Sequence, residues 1–167
     1  KMKLEDVNSR GAVYLDFEGR KSIGPEKLPL PHMAGIFRPN KKGSNGQYEV
    51  FFFRDNWKPA ANGSRGKAQV MPFVESFEIL LNELEKENKH LIYWTIHEEH
   101  ILEKHLPKSL FKRIKPRLFN VHPIAKRYAN RQKRFGNDDS AKGKSLEEFF
   151  SAIYRKRRPY PPLPIGP

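Results

Sequence analysis

An α/β chain built on a mixed sheet flanked by helices is predicted by three observations. The run Ala12 to Phe17 is apolar and aromatic, and glycines stand at both ends, at Gly11 and Gly19, as expected for a strand. Two more strand-like runs follow before any helical periodicity appears. The first clear 3.6-residue pattern then leads into a short, wholly apolar run of the kind a buried parallel strand needs. Strands in a meander, then a helix, then a buried strand give an antiparallel part followed by a parallel crossover.

The elements can be justified in order. The first strand spans Ala12 to Phe17, the second about His32 to Phe37 and the third about Tyr48 to Phe53. Between the last two lies Pro39-Asn40-Lys41-Lys42-Gly43-Ser44-Asn45-Gly46, turn chemistry that predicts a hairpin. Arg54 to Ala68 reads as a polar loop. Phe73, Phe77, Leu80, Leu81 and Leu84 mark a helix that starts after Pro72 and ends near Asn88-Lys89-His90. Leu91 to Thr95 is the buried strand. A second helix begins around His97, carries Ile101, Leu102 and Leu106, and stops at Pro107. Arg117 to Gln132 is either another helix or a strand-to-helix element broken at Pro123. Ser145 to Arg155 is a short helix with Leu146, Phe149, Phe150 and Ile153 on one face.

Length and charge bound the rest. The chain has 167 residues, which fits one main domain over residues 1–155 and a proline-rich tail or linker over 156–167. It opens on Lys1, so the sequence reads as a processed or excised piece, with a further domain expected beyond residue 167. Lys and Arg number 32 against 19 Asp and Glu, a net charge of +13, and such an excess favours a polyanionic partner. The absence of cysteine excludes disulfides, thiolate zinc sites and cysteine nucleophiles. No apolar run reaches the ~18 residues of a membrane helix and no signal peptide is evident, so a cytoplasmic protein with no membrane partner is expected.

The strongest chemical signal is Val13-Tyr14-Leu15-Asp16-Phe17-Glu18-Gly19. Alternation along a strand puts Asp16 and Glu18 on one face and Val13, Leu15 and Phe17 on the other. Neighbouring acids on a rigid strand repel each other unless a cation lies between them, and an oxygen-rich pair suits Mg²⁺ or Mn²⁺. The same spacing also suits two acids at a solvated strand end.

The element order resembles the ribonuclease H-like fold. Tyr14-Leu15-Asp16-Phe17-Glu18-Gly19 is similar to the first motif of DEDD-class exonucleases, especially the branch described as predicted RecB-type nucleases. Leu91-Ile92-Tyr93-Trp94-Thr95-Ile96-His97-Glu98 resembles that branch's later acid-bearing segment. The resemblance covers roughly residues 12–155. It implies a metal-dependent nuclease, a 3′–5′ exonuclease hydrolysing DNA or RNA, in which two cations about 4 Å apart bind the scissile phosphate and activate water. By the same resemblance Asp16 bridges both metals, Glu18 holds the metal of the attacking water, and Glu98 binds the second. Glu99 is the alternative register for Glu98, and both also suit the first turn of a helix. The family's third acid has no match here: Arg117-Leu118-Phe119-Asn120-Val121-His122 offers only Asn120 in its place. Asp138 and Asp139 are weak substitutes for the fourth. This departure sets a second reading beside the nuclease, a catalytically silent module that binds nucleic acid or serves assembly. A basic protein-interaction domain is the third.

Lys104 to Arg134 contains eleven Lys or Arg and no acid. Lys112, Arg113, Lys115, Arg117, Lys126, Arg127, Arg131, Lys133 and Arg134 are the candidate nucleic-acid contacts, because such side chains neutralise phosphates and release counterions. The alternative is a solvated face. Phe111, Phe119, Tyr128 and Phe135 are interleaved with them, as core residues or as stacking surfaces. His97-Glu98-Glu99-His100 lacks the i, i+4 histidine spacing of a zinc helix. Arg158-x-x-Pro161-x-x-Pro164 matches an SH3-type ligand and also suits a linker.

Overall fold

Alternation in the first strand organises the sheet. The computed structural model describes residues 11–19, 28–39, 46–53 and 66–131. Strand β1 (Ala12–Glu18) turns Val13 and Leu15 into the core and leaves Asp16 and Glu18 exposed. Strand β2 (Met33–Pro39) runs antiparallel to β1, and β3 (Gly46–Phe52) runs antiparallel to β2. Strand β4 (Gly66–Val70) joins β3 in parallel. Helix α1 (Phe73–Lys86) then crosses to β5 (His90–Tyr93), which lies parallel to β1. Helices α2 (Ile96–His105) and α3 (Lys108–Ile114) and a short 3-10 turn lead to β6 (Leu118–Asn120), parallel to β5. The order β4-β3-β2-β1-β5-β6 makes a six-stranded mixed sheet in which β2 alone is reversed. With its flanking helices it is consistent with a ribonuclease H-like arrangement.

The chain divides into two compact units, Lys1–Asn120 and Val121–Pro167. In the first, Val13, Leu15, Ala34, Ile36, Phe51 and Leu91 of the sheet form one buried cluster with Phe73, Phe77, Leu80, Leu81 and Leu84 of α1 and with Ile101, Leu102, Leu110 and Ile114. Phe17 packs on the rings of Phe73 and Phe77 at 6.0 and 5.8 Å. In the second unit, α4 (His122–Arg131) starts with the Val121 carbonyl accepting from the amides of Ile124 and Ala125. Among the described residues no helix is long and apolar enough to cross a membrane.

Two expectations need correction, and one alternative is decided. Of the loop expected over Arg54–Ala68, residues 54–65 lie outside the described residues and Gly66–Ala68 open strand β4: at the edge of the sheet, Gly-Lys-Ala-Gln-Val is largely open to water and lacks an apolar alternation. Helix α3 was not expected between Pro107 and Arg117, since seven residues are too few to show a second helical period. Of the two forms open for the segment that starts at Arg117, the structure takes the strand-to-helix one as far as Arg131, with Pro123 in the first turn of α4, where its missing N–H costs nothing. The helix expected at 145–155 and the domain boundary at 155/156 lie outside the described residues.

Two polar devices hold the sheet to α1. Helix α1 ends in a turn with Asn88 at φ 49°, a left-handed conformation that Asn tolerates. Arg117 donates to the carbonyls of Leu84 and Lys89, 3.0 Å each, satisfying acceptors at that helix end. On β2, Arg38 follows Ala34 and Ile36 on the helix-facing row and grips both Glu83 of α1 (2.8 Å) and Glu49 of β3 (2.9 Å). These side chains are 19%, 21% and 14% exposed, so the pairs are shielded more than ordinary surface pairs. Arg38→Met keeps the stem but leaves two acids facing each other. It is expected to cost about 1–3 kcal/mol, read as a lower urea midpoint at unchanged slope. An unchanged midpoint would show that the network is only decorative.

Candidate functional site

The carboxylates Asp16 and Glu18 leave β1 on the face opposite the helix-packed core. Their cross-strand neighbours on β2 are Gly35 and Met33. The chain leaves β1 through Gly19, where a Cβ would press on the backbone of Pro31 and His32 at 3.1 Å, so the tight exit suits glycine. The Glu18 carbonyl accepts from the His32 amide at 2.9 Å, which fixes the end of the strand.

Glu98 arrives from the other side. Strand β5 is parallel to β1, with Tyr14 opposite Ile92, so its carboxyl end and the start of α2 lie beside the acid end of β1. Thr95 caps α2: its Oγ1 accepts from the His97 amide at 3.2 Å. Its own amide and hydroxyl donate to Glu98 Oε2 at 3.0 and 2.7 Å, completing a capping box. Glu98 is buried. Both bonds fall on Oε2, so Oε1 carries no hydrogen bond among the described residues. Glu99 is committed elsewhere, accepting from the Tyr93 hydroxyl at 2.5 Å with Lys115 at 4.0 Å. Desolvation and the hydrogen bond to Glu99 hold the Tyr93 phenol well above its ordinary range, and repulsion from Glu99 and Glu98 adds to this. Of the two registers, Glu98 is the one whose charge is felt at Asp16.

Electrostatics tie the three acids together. The Asp16 carboxyl is held above its ordinary value by desolvation first, then by repulsion from Glu18 and from Glu98; the Phe17 amide opposes this. Its side chain opens to solvent on one side, but neighbouring chain crowds the carboxyl. Among the described residues no Lys or Arg forms an ion pair with Asp16, Glu18 or Glu98, and no three His, Asp or Glu side chains are drawn tightly enough to cage a metal. In donor chemistry the three carboxylates suit a hard divalent cation, whose charge would relieve their repulsion, but they would have to draw closer to share one ion. Beside them a cleft of about 200 Å³ is lined by Phe17, Glu18, Gly19, Pro29, Pro31, His97 and Ile101.

The other expected residues do not converge there. Asn120 pairs with Tyr93, in the row of Leu91 and on the opposite face from Asp16. Asp138, Asp139, Lys133 and Arg134 lie outside the described residues, and Arg131 is placed only as backbone of α4. Arg117 is used inside the fold, and Arg113 is paired with Glu85 at 2.7 Å. Lys115 lies over the Phe111 ring at 5.3 Å. Lys112 extends to solvent in the first unit and Arg127 in the second, next to the half-buried Lys126. Phe111 and Phe119 are buried and so serve the core. Sequence reasoning overlooked Thr95, although Thr95-x-x-Glu98 is itself a capping-box signature. Pro29, Pro31 and Ile101 carried no such signal, because only the fold brings them to the acids.

Comparison with known proteins returns no matching family model, no matching curated protein and no matching solved structure.

A raised carboxyl binds its proton more tightly in the folded than in the unfolded state, so ionising it opposes folding. That cost is absent below the unfolded value of about 3.9 and complete once pH exceeds the raised folded value. Asp16→Asn is therefore expected to melt a few degrees above the unsubstituted chain near pH 7, with the gap closing near pH 3. Equal melting temperatures at both would show that the three acids do not burden one another.

Proposed function

We propose that this domain is a divalent-metal-dependent nuclease, a 3′–5′ exonuclease hydrolysing phosphodiester bonds of DNA or RNA, with Mg²⁺ or Mn²⁺ held by Asp16, Glu18 and Glu98. The observation that carries the reading is that Asp16, Glu18 and Glu98 lie near one another at the carboxyl ends of two parallel strands, with no Lys or Arg ion pair to them among the described residues, and that Asp16 is held up by desolvation and then by repulsion from the other two. When bound, such a cation supplies charge to offset the scissile phosphate and lowers the pKa of a water. The chain's own part is orientation. Asp16, repelled from both sides, is the natural inner ligand. Glu18 stands at the rim of the cleft, where a substrate end can enter. Thr95 fixes the rotamer of Glu98 through Oε2 and so aims Oε1. The net charge of +13 favours the polyanion, and in the unit that carries the acids Lys112 is an exposed basic side chain that can meet it. The direction of digestion rests on the resemblance of Tyr14–Gly19 to the exonuclease motif.

One observation favours a second reading, a silent module that binds nucleic acid without cutting it. The third-acid position holds Asn120, uncharged and on the opposite face from Asp16.

Hydrolysis of an end-labelled single strand and of a duplex, DNA and RNA, with Mn²⁺ separates the two. Asp16→Asn is expected to lose at least 100-fold in rate, and Thr95→Val roughly 10–100-fold by loosening the Glu98 carboxylate. Undiminished cutting by Asp16→Asn would place the activity elsewhere, and a folded but inactive parent chain would favour the silent module.

A further inference from the structure

The face that carries Asp16 also carries a row of aromatic rings that no core claims. Tyr14, two residues before Asp16, stands opposite Phe37 of β2, which stands opposite Tyr48 of β3. The three side chains therefore form one cross-strand ladder on the Asp16 face. Their centroids are 6.1 Å apart from Tyr14 to Phe37 and 4.5 Å apart from Phe37 to Tyr48. Phe37 is half-buried between two rings that remain 41% and 58% exposed.

The ladder is held in place and left open at the side. A Cβ at Gly46 would overlap the Phe37 ring and the Arg38 carbonyl, so the tip of the ring takes space that only glycine leaves free. Beyond Tyr48 the paired residue is Gly66, which puts no side chain beside the outer ring. In the next row, Asp16 is paired with Gly35, so no side chain rises between the rings and the acid across that strand. Two residues of strand separate the rows, about 7 Å, which is within the reach of one nucleotide of an extended strand.

We infer that Tyr14, Phe37 and Tyr48 form a stacking platform for the bases of single-stranded nucleic acid. Three properties select this occupant. Exposed tyrosine rings offer π-faces that any base can use. The chain's net charge of +13 complements a polyanion. The platform is continuous with the acids proposed to cut. Duplex bases are already stacked on each other and cannot use the rings, so the substrate class narrows to single strands. The inference deepens the nuclease reading and rests on it only for the strand's passage to Asp16; binding itself needs neither metal nor cutting.

The test is fluorescence anisotropy with Asp16→Asn protein, without divalent cation, on short labelled oligothymidylate, oligouridylate and a blunt duplex. The single strands are expected to bind at least tenfold more tightly than the duplex, and the two of them compared show whether DNA or RNA is preferred. Tyr48→Ala is expected to weaken single-strand binding about tenfold, Tyr48→Phe to leave it unchanged, and neither to alter the salt slope, since stacking releases no counterions. Photocrosslinking of an iodouracil-bearing strand to the unsubstituted chain is expected to label Tyr14 or Tyr48, a readout that holds even if an alanine variant fails to fold. Unchanged affinity in a folded Tyr48→Ala protein, equal binding of duplex, or crosslinks confined to other residues would overturn the platform. Binding that responds as expected without any Mn²⁺-dependent cutting would leave the platform standing and count against the nuclease reading alone.

Discussion

Everything in this structure hangs on the two-residue alternation of β1. One face of the strand supplies Val13, Leu15 and Phe17 to the cluster shared with α1; the other carries Tyr14, Asp16 and Glu18. A slip of one residue in its pairing would bury two acids and expose the core row. The strand is central in the sheet, with β2 antiparallel on one side and β5 parallel on the other. Its register is therefore fixed twice. That rigidity is what allows two like charges to be kept two residues apart, in a place where a flexible loop would let them separate.

The acids are a local expense carried by the surrounding order. Burial and repulsion push Asp16 up together, while Glu98 is bound into a helix cap through one of its two oxygens. Arg38 and Arg117 do the opposite kind of work: each joins separate elements by satisfying acids or carbonyls near the core. A basic protein thus uses some of its arginines internally, so a dense basic sequence overstates the charge it offers a partner. Arg117 and Arg113, both within the acid-free stretch, have partners in the fold.

Much of the architecture was legible because the long-range decisions coincide with local ones. The Phe73–Leu84 periodicity, the apolar run at Leu91 and the alternation around Asp16 each have the pattern of the element they form. What escaped detection was short or at an edge. Gly66–Val70 pairs through backbone and has no apolar code, and Lys108–Ile114 is too short for periodicity. For the site, Asp16 and Glu18 could be placed on one face from spacing alone, whereas the choice between Glu98 and Glu99 depended on the direction of β5 and on Tyr93 claiming Glu99. Asn120 could be named but not oriented, since its face follows from a three-residue strand whose register no local signal gives. The aromatic ladder was invisible because Tyr14, Phe37 and Tyr48 are far apart in sequence and meet only through pairing.

The proposed function requires Asp16, Glu18 and Glu98 to hold a divalent cation together. Anomalous diffraction at the manganese edge from crystals grown with Mn²⁺ tests it most directly. The account predicts a peak within about 2.0–2.4 Å of carboxylate oxygens of Asp16, Glu18 and Glu98, and no such peak in Asp16→Asn crystals. A peak on other residues, or none beside these acids in well-ordered crystals, would contradict it.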